Sequence, residues 1–352
     1  MCIRDSGQYA HWGATTQDIL DTATVLQLAS SLDTIESELL VAGRRLAGLA
    51  DAHRGDLMLA RSQGQPALPT TFGLRAAGWL SALTRHIERL RQSRPRVLVA
   101  QLSGAVGTGA SFGPGGTEVH EAFALELGLA PAKVNWHTQR DGFAEMAVVT
   151  ASIAASLGKV GLDVSLSAQP EIGELSEGPA GGGAGTSSTM PQKRNPILSQ
   201  QLVQNARITR QLVPLVLEAM VADHDRGMGV WPIEWFAVPQ LVALTWSSAV
   251  KARSLLESLE VNATQMATNL TSADHVMAEA AMMALAPEVG RQRAHELVAT
   301  AIKNMPTAPL ADALAAQNVA VDPAILDPRS YLGTFDTQID HALESFYAAQ
   351  NV

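Results

Sequence analysis

The sequence contains a single cysteine, Cys2, among 352 residues. One cysteine cannot form an intramolecular disulfide, and it leaves no cysteine-rich metal site. No H-x-x-E-H or similar histidine cluster replaces it, so the sequence offers no metal-binding motif. The scarcity of cysteine favours a protein of the reducing cytoplasm.

Aromatic residues are also scarce, at 5%, whereas alanine and leucine are abundant, which favours packed helices over a β-sandwich. No apolar run approaches the roughly 20 residues of a membrane span, so no membrane contact is predicted. The net charge of −9 argues against a nucleic-acid partner. A few lysines and arginines can still form a positive pocket for a small anionic substrate.

Apolar residues at helical spacing predict an all-α fold, a bundle of long helices. Glycine-rich stretches interrupt the pattern at 104–116 and 180–192, and helices beyond 271 are shorter. We expect a central bundle domain over 7–272 and a small helical C-terminal domain over 273–352. The predicted helices of the bundle cover residues 16–55, 69–92, 117–127, 141–168, 196–220 and 233–259.

Residues 1–6 fit neither a signal peptide nor the start of a helix. The residues that follow, from Gly7 to Gly13, have the composition of the middle of an active-site segment. We therefore interpret residues 1–6 as a non-native leader and expect a preceding N-terminal domain to be missing.

The stretch from Gly185 to Pro196, G-T-S-S-T-M-P-Q-K-R-N-P, combines flexible glycine, hydroxyls, a cation and an amide before a predicted helix. Backbone N–H groups at that helix start, with Lys193 and Asn195, can hold a carboxylate. A serine in a closing loop can exchange a proton with a carbon acid if cations stabilise its alkoxide. A flexible linker is the plainer interpretation, and a Walker A loop is excluded.

Two further segments carry polar side chains in short, dense patterns. H-W-G-A-T-T-Q-D runs from His11 to Asp18, and its plainer interpretation is a helix cap with a packed histidine. W-H-T-Q-R-D runs from Trp136 to Asp141, where an exposed Arg140–Asp141 ion pair is the plainer interpretation.

The three segments resemble the fumarase/aspartase superfamily, in the same order. Its signature G-S-S-x-M-P-x-K-x-N-P differs here only at Thr186, and its H-x-G-x-T-S-x-D segment matches 11–18. W-H-T-Q-R-D is similar to the bacterial 3-carboxy-cis,cis-muconate cycloisomerases, as is D-P-R-S-Y-L-G from Asp327 to Gly333. The resemblance runs from about Gly7 to the C-terminus.

Position 63 separates two branches of this superfamily. Adenylosuccinate lyases have an acidic histidine in G-R-T-H-x-x-x-A-x-P-T-T-F-G, whereas this chain has Gln63, which cannot act as an acid. Cycloisomerases also lack that histidine and typically have tryptophan, so Gln63 departs from both patterns but argues more against the lyase. Gln192 replaces a residue that is histidine in many relatives.

The resemblance implies a homotetramer whose active sites combine three subunits, acting on a small polycarboxylate without metal or organic cofactor. The implied reaction is lactonisation of 3-carboxy-cis,cis-muconate. The alternatives are an adenylosuccinate-type C–N lyase and a non-catalytic truncated helical scaffold. The implied proton-transfer residue is Ser188, with Ser187 as second choice, and His137 completes the implied catalytic residues. The implied substrate binders are His11, Thr15, Thr16, Arg140, Lys193 and Asn195.

Overall fold

The computed structural model describes residues 7–178, 185, 187, 189–273 and 275–351. Helices dominate these residues, as the sequence predicts, and their starts and ends follow the predicted spans closely up to residue 258. The helices are α1 (Thr16–Ala52), α2 (Phe72–Val97), α3 (Gly116–Glu126), α4 (Asp141–Ser167), α5 (Ile197–Glu218), α6 (Trp231–Ser258), α7 (Ala263–Ser272), α8 (Ala278–Val289), α9 (Arg291–Asn304), α10 (Leu310–Ala315) and α11 (Phe335–Gln350).

Short strand pairs link some of the helices. An antiparallel hairpin joins the first two strands, a parallel pair the next two, and an antiparallel pair the last two. The strands are β1 (Leu57–Ser62), β2 (Gln65–Thr71), β3 (Val99–Ala100), β4 (Ala130–Pro131), β5 (Leu175–Glu177) and β6 (Leu259–Val261).

The β1–β2 hairpin corrects the prediction that Pro69 opens a helix. Pro69 lies in β2 opposite Leu59, and α2 begins three residues later. Gln63 and Gly64 form the two-residue turn, and both have positive φ, 53° and 74°. Such a turn normally carries Asn-Gly or Asp-Gly, so Gln-Gly gave only a weak hairpin signal. Gln63, the position that separates the two enzyme branches, is thus an exposed turn residue.

Contacts between Cα atoms divide the described residues into two compact units. The first takes in chain segments 1–42, 82–162 and 197–255, and the second takes in segments 43–81, 163–196 and 256–352, each as far as the structure describes them. Both are discontinuous because α1, α2, α4 and α6 each contribute residues to both. Within the second unit, α8, α9 and α10 share an apolar cluster around Ala281, Ala294 and Leu314. The division at 272/273 stays a prediction.

Glycines bring α4 and α5 close together in the first unit. A Cβ added to Gly158 would lie 2.4 Å from the Cβ of Ala206, and one added to Gly161 would lie 2.7 Å from the carbonyl oxygen of Ser199. Both distances are shorter than a van der Waals contact, so only glycine permits this approach. By length and composition α4 could span a membrane, contrary to the expectation of no such run. However, 56% of its most apolar window is buried within the protein, as is usual for a core helix.

His86, which fits no motif, is a core residue of the first unit. Its Nε2 lies 2.8 Å from the hydroxyl of Ser156, and the residue is 7% exposed. Burial lowers the pKa of His86 to about 4, and the charges of Arg89 and Arg85 contribute in the same direction. His86 is therefore neutral in the folded protein at pH 7.

This burial predicts a pH-dependent stability term. Below the ordinary histidine pKa of 6.5 the unfolded chain binds a proton that the folded His86 does not take until about 4. As the pH falls from 6.5 to about 4, the free energy of unfolding therefore decreases, by at most about 1.4 kcal/mol per pH unit from this residue. Urea denaturation should show the wild-type advantage over His86→Gln shrinking between about pH 7.5 and about pH 5.5. A pH-independent difference would contradict this assignment.

Candidate functional site

Asp18, in the first turn of α1, is the centre of a buried polar cluster in the first unit. One carboxylate oxygen accepts the backbone N–H groups of Thr15 and Gly104, each at 2.9 Å. The other accepts the N–H of Ser103 at 3.0 Å and lies 2.7 Å from Nε2 of His137. Burial alone would raise the pKa of Asp18, but these hydrogen bonds outweigh it and hold that pKa below its ordinary 3.8. Asp18 is therefore a buried carboxylate anion.

His137 is as buried as its partner. Its side chain is 1% exposed, and its backbone carbonyl accepts a hydrogen bond from Nε2 of Gln17 at 2.8 Å. Nδ1 is buried and has no hydrogen-bond partner among the described residues. The structure thus places His137 against the start of α1, next to the predicted carboxylate-binding threonines.

Arg140 lies in a second buried cluster, one helical turn further along α1. Its guanidinium binds the carboxylates of Asp21 and Glu234 and the backbone carbonyl of Trp136. These contacts use all five N–H groups, and the rings of Trp136 and Phe143 lie 4.9 and 4.8 Å from its central carbon. Although burial opposes the charge, the two carboxylates raise the pKa of Arg140.

This geometry differs from the prediction that Arg140 binds a substrate carboxylate. Its side chain is only 2% exposed, and no N–H group is left to donate to a ligand. The plainer alternative, an exposed pair with Asp141, is also wrong because the partners of Arg140 are Asp21 and Glu234. Arg140 instead joins three distant parts of the chain.

The predicted threonines lie at the N-terminus of α1. Thr16 is exposed, while the half-buried hydroxyl of Thr15 accepts a hydrogen bond from Arg226 at 2.8 Å. Arg226 also donates to the carbonyl of Ala105 at 2.8 Å. His11 is exposed just before the helix and adopts a positive φ of 62°, which is uncommon outside glycine. The hydroxyl, the guanidinium and the helix N-terminus together form a region suited to a carboxylate.

The second unit contains the predicted loop residues that the structure describes. The hydroxyl oxygen of Ser187 accepts the N–H of Met190 at 3.0 Å, and the carbonyl of Gly185 accepts the N–H of Asn195 at 2.7 Å. Lys193 is exposed and forms no ion pair within the described residues. Ser188 lies outside the described residues.

Several residues of these clusters had no role in the sequence prediction. Arg226 was visible in the segment His224-Asp225-Arg226, which resembles a cycloisomerase pattern, but its contact with Thr15 needed the fold. Glu234 lies in W-P-I-E-W (231–235), which resembles the E-W part of the same pattern, whereas Asp21 had no signal beyond its helical position. The rings of Trp231 and Trp235 pack edge to face with centroids 4.9 Å apart, and Trp231 also donates to Asp21 at 3.0 Å. No group of three or more potential metal ligands occurs in the described residues.

The Arg140 cluster predicts a large stability effect from a conservative substitution. Lysine cannot bridge two carboxylates in the geometry of guanidinium, so Arg140→Lys should leave a buried carboxylate poorly paired. We expect the free energy of unfolding to fall by about 3 kcal/mol in urea denaturation. The matched control is Arg96→Lys, because Arg96 makes a bidentate but exposed pair with Glu145. Equal effects of the two substitutions would contradict the cluster.

Comparison with known proteins relates this arrangement to a family. A sequence profile of the lyase family matches residues 3–208, and a profile of the adenylosuccinate lyase C-terminus matches residues 274–342. The 3-carboxy-cis,cis-muconate cycloisomerase of Pseudomonas aeruginosa is 42% identical, with 98% of this chain and 77% of the relative covered. The N-acetyl-S-(2-succino)cysteine lyase of Dickeya dadantii is 34% identical, with coverages of 96% and 77%.

A solved structure agrees with these sequence relationships. The 3-carboxy-cis,cis-muconate lactonizing enzyme of Pseudomonas putida superposes with a TM-score of 0.88 at 35% identity. The superposition covers 99% of this chain and 80% of that one. The all-α prediction is confirmed by this similarity. The chain belongs to the lyase family, within the fumarase/aspartase superfamily.

Proposed function

We propose that this protein is a cycloisomerase that converts 3-carboxy-cis,cis-muconate to 4-carboxymuconolactone in aromatic-acid (protocatechuate) catabolism. The observation that carries the proposal is the 42% identity to a bacterial cycloisomerase over almost the whole chain. The W-H-T-Q-R-D segment supports it, because His137 and Arg140 both anchor buried clusters at the start of α1.

The reaction needs one new C–O bond and one proton. A carboxylate oxygen of the substrate adds to a carbon of the double bond, and the π electrons move to the neighbouring carbon, next to a carboxylate. The resulting aci-carboxylate is a dianion until that carbon takes a proton. Fixed cations and N–H donors around this charge provide most of the stabilisation.

The described residues fall into groups that suit these needs. Lys193 supplies an ammonium with no ion pair among the described residues, and Asn195 supplies an amide, while Thr15, Thr16 and His11 lie at a helix N-terminus. We assign carboxylate binding to these five residues. Proton transfer we assign to Ser188, with Ser187 as second choice because neighbouring hydroxyls are equivalent in sequence terms. We assign Arg140 a positioning role, because all its N–H groups are already bound to protein acceptors. We assign His137 to the buried wall of the site, beside the N-terminus of α1.

We also propose a cytoplasmic homotetramer with active sites shared between subunits. Large apolar side chains are exposed on α5 and α6, as expected for helices that pack against other copies. A groove of about 450 Å³ lies between α1 and α6 and is lined partly by Val238, Val242 and Trp246. The exposed apolar residues include Ile208, Leu215, Leu217, Phe236 and Trp246.

Substrate turnover tests the function directly. Purified protein is mixed with 3-carboxy-cis,cis-muconate, loss of ultraviolet absorbance is followed, and the product is identified by NMR. Enzyme-dependent formation of the lactone supports the proposal. Adenylosuccinate is assayed in parallel, because turnover of that substrate instead would favour the C–N lyase despite Gln63.

The molecular mass in solution is measured on the same sample by size exclusion with light scattering. A helical tetramer that leaves the muconate unchanged would overturn the cycloisomerase proposal. An inactive monomer or dimer would overturn the shared-site assembly and favour the non-catalytic scaffold, because a three-subunit site cannot form there.

The assignment of proton transfer to Ser188 predicts that removing its hydroxyl strongly lowers the turnover rate. Ser188→Ala removes the hydroxyl that carries the proton, so kcat should fall by about 10²- to 10⁴-fold. Ser187→Ala is the matched control and should reduce kcat far less. Circular dichroism should show unchanged helicity in both variants. The reverse ranking would transfer the role to Ser187.

A further inference from the structure

The described part of the chain contains two His–Asp pairs of equal length in very different surroundings. His137 Nε2 lies 2.7 Å from Asp18, and His53 Nδ1 lies 2.7 Å from Asp56. The side chains of the first pair are 1% and 0% exposed, whereas those of the second are 25% and 35% exposed. Water can replace either partner of the second pair but not of the first. Only the buried pair can impose a fixed state on its imidazole.

The surroundings of Asp18 determine which imidazole nitrogen bears a proton. Its carboxylate accepts three backbone N–H groups, from Thr15, Ser103 and Gly104. An ionised carboxylate can only accept hydrogen bonds, so the nitrogen that faces it must be a donor. Nε2 of His137 therefore bears a hydrogen, and in a neutral ring Nδ1 is then a bare acceptor.

Two glutamines next to His137 are held in defined orientations. Gln17 donates from Nε2 to the carbonyl of His137 at 2.8 Å and to Asp21 at 3.2 Å, which fixes its Oε1 as the remaining acceptor. Gln101 accepts the N–H of Trp136 at Oε1 at 2.9 Å, which fixes its Nε2 as the remaining donor. Both amides are thus anchored to the backbone of residues 136–137.

Three buried polar atoms, one on His137 and one on each of these glutamines, have no hydrogen-bond partner among the described residues. They are two acceptors, Nδ1 of His137 and Oε1 of Gln17, and one donor, Nε2 of Gln101. A buried water typically makes about three hydrogen bonds, and its two O–H groups and a lone pair match this set. A buried polar atom left without a partner is strongly unfavourable, so a bridging water stabilises this arrangement.

We propose that Asp18 is a positioning residue that holds His137 as the Nε2–H tautomer, so that Nδ1 becomes a buried acceptor for one ordered water. The same carboxylate holds the N–H of Thr15, so the ring, the water and the helix N-terminus form one rigid unit. Rigidity there keeps the hydroxyl of Thr15 in place toward Arg226. The effect on turnover rests on the proposed function; the tautomer and the water do not.

The tautomer is tested by ¹⁵N NMR of the full chain labelled at histidine, with the His137 signals assigned by their loss in His137→Gln. We expect a pyrrole-type Nε2 and a pyridine-type Nδ1 in the wild-type protein at neutral pH. The opposite pattern, or two protonated nitrogens, would overturn the proposal. This measurement needs no activity, so it remains decisive if the cycloisomerase assignment fails.

A matched pair of variants tests the positioning role. In Asp18→Asn the residue can donate to Nε2, so the ring should shift toward the Nδ1–H tautomer, whereas Asp56→Asn should leave the His137 signals unchanged. With the muconate substrate, Asp18→Asn should lower kcat/KM at least about 10-fold and Asp56→Asn should not. Unchanged His137 signals in a folded Asp18→Asn protein would overturn the role. If that variant does not fold, the wild-type spectrum still decides the tautomer.

The water is tested by a crystal structure of the full chain at high resolution. We expect one ordered water within hydrogen-bond distance of Nδ1 of His137 and of both glutamine side chains. A direct hydrogen bond between Gln17 and Gln101, with no water at Nδ1, would overturn this part.

Discussion

Two carboxylates buried in the first turns of α1 constrain much of the first unit. Asp18 and Asp21 lie three residues apart on one helix face, and neither is solvated. A buried anion is stable only if charged or N–H donors surround it completely. Those donors come from Thr15 and Gln17, Ser103 and Gly104, His137 and Arg140, and Trp231. The need to satisfy two anions thus fixes the relative positions of segments separated by up to 210 residues.

This constraint also separates cations that hold the fold from cations left for a ligand. Arg140 has all its N–H groups bound to protein acceptors, so its charge serves the fold. Lys193 has no ion pair among the described residues and is exposed, so its charge is available to an anionic ligand. A cation can serve a polycarboxylate only if the protein has not already neutralised it, and residue type alone does not reveal which case applies.

The Asp18–His137 pair shows that buried hydrogen bonds can also determine where a proton lies. Because the carboxylate already accepts three N–H groups, it imposes one tautomer on the imidazole. The exposed His53–Asp56 pair has equal length but lacks this control, since water competes at both side chains. Burial, and not distance, therefore decides whether an ion pair fixes the orientation of a side chain.

The sequence by itself determined the helical class, most helix boundaries in the bundle and the superfamily, because apolar periodicity and the loop signature are local properties. It also located Thr15, Thr16, Lys193 and Asn195 at helix starts. It did not reveal the β1–β2 hairpin, since Gln63-Gly64 is a weak turn signal. Only the tertiary structure decided the partners of His137 and Arg140, because the sequence motifs that contain Asp18 and Glu234 do not say what these acids bind, and Asp21 looks like an ordinary helix-surface acid. Their burial depends on packing between segments more than 90 residues apart, which no local pattern encodes.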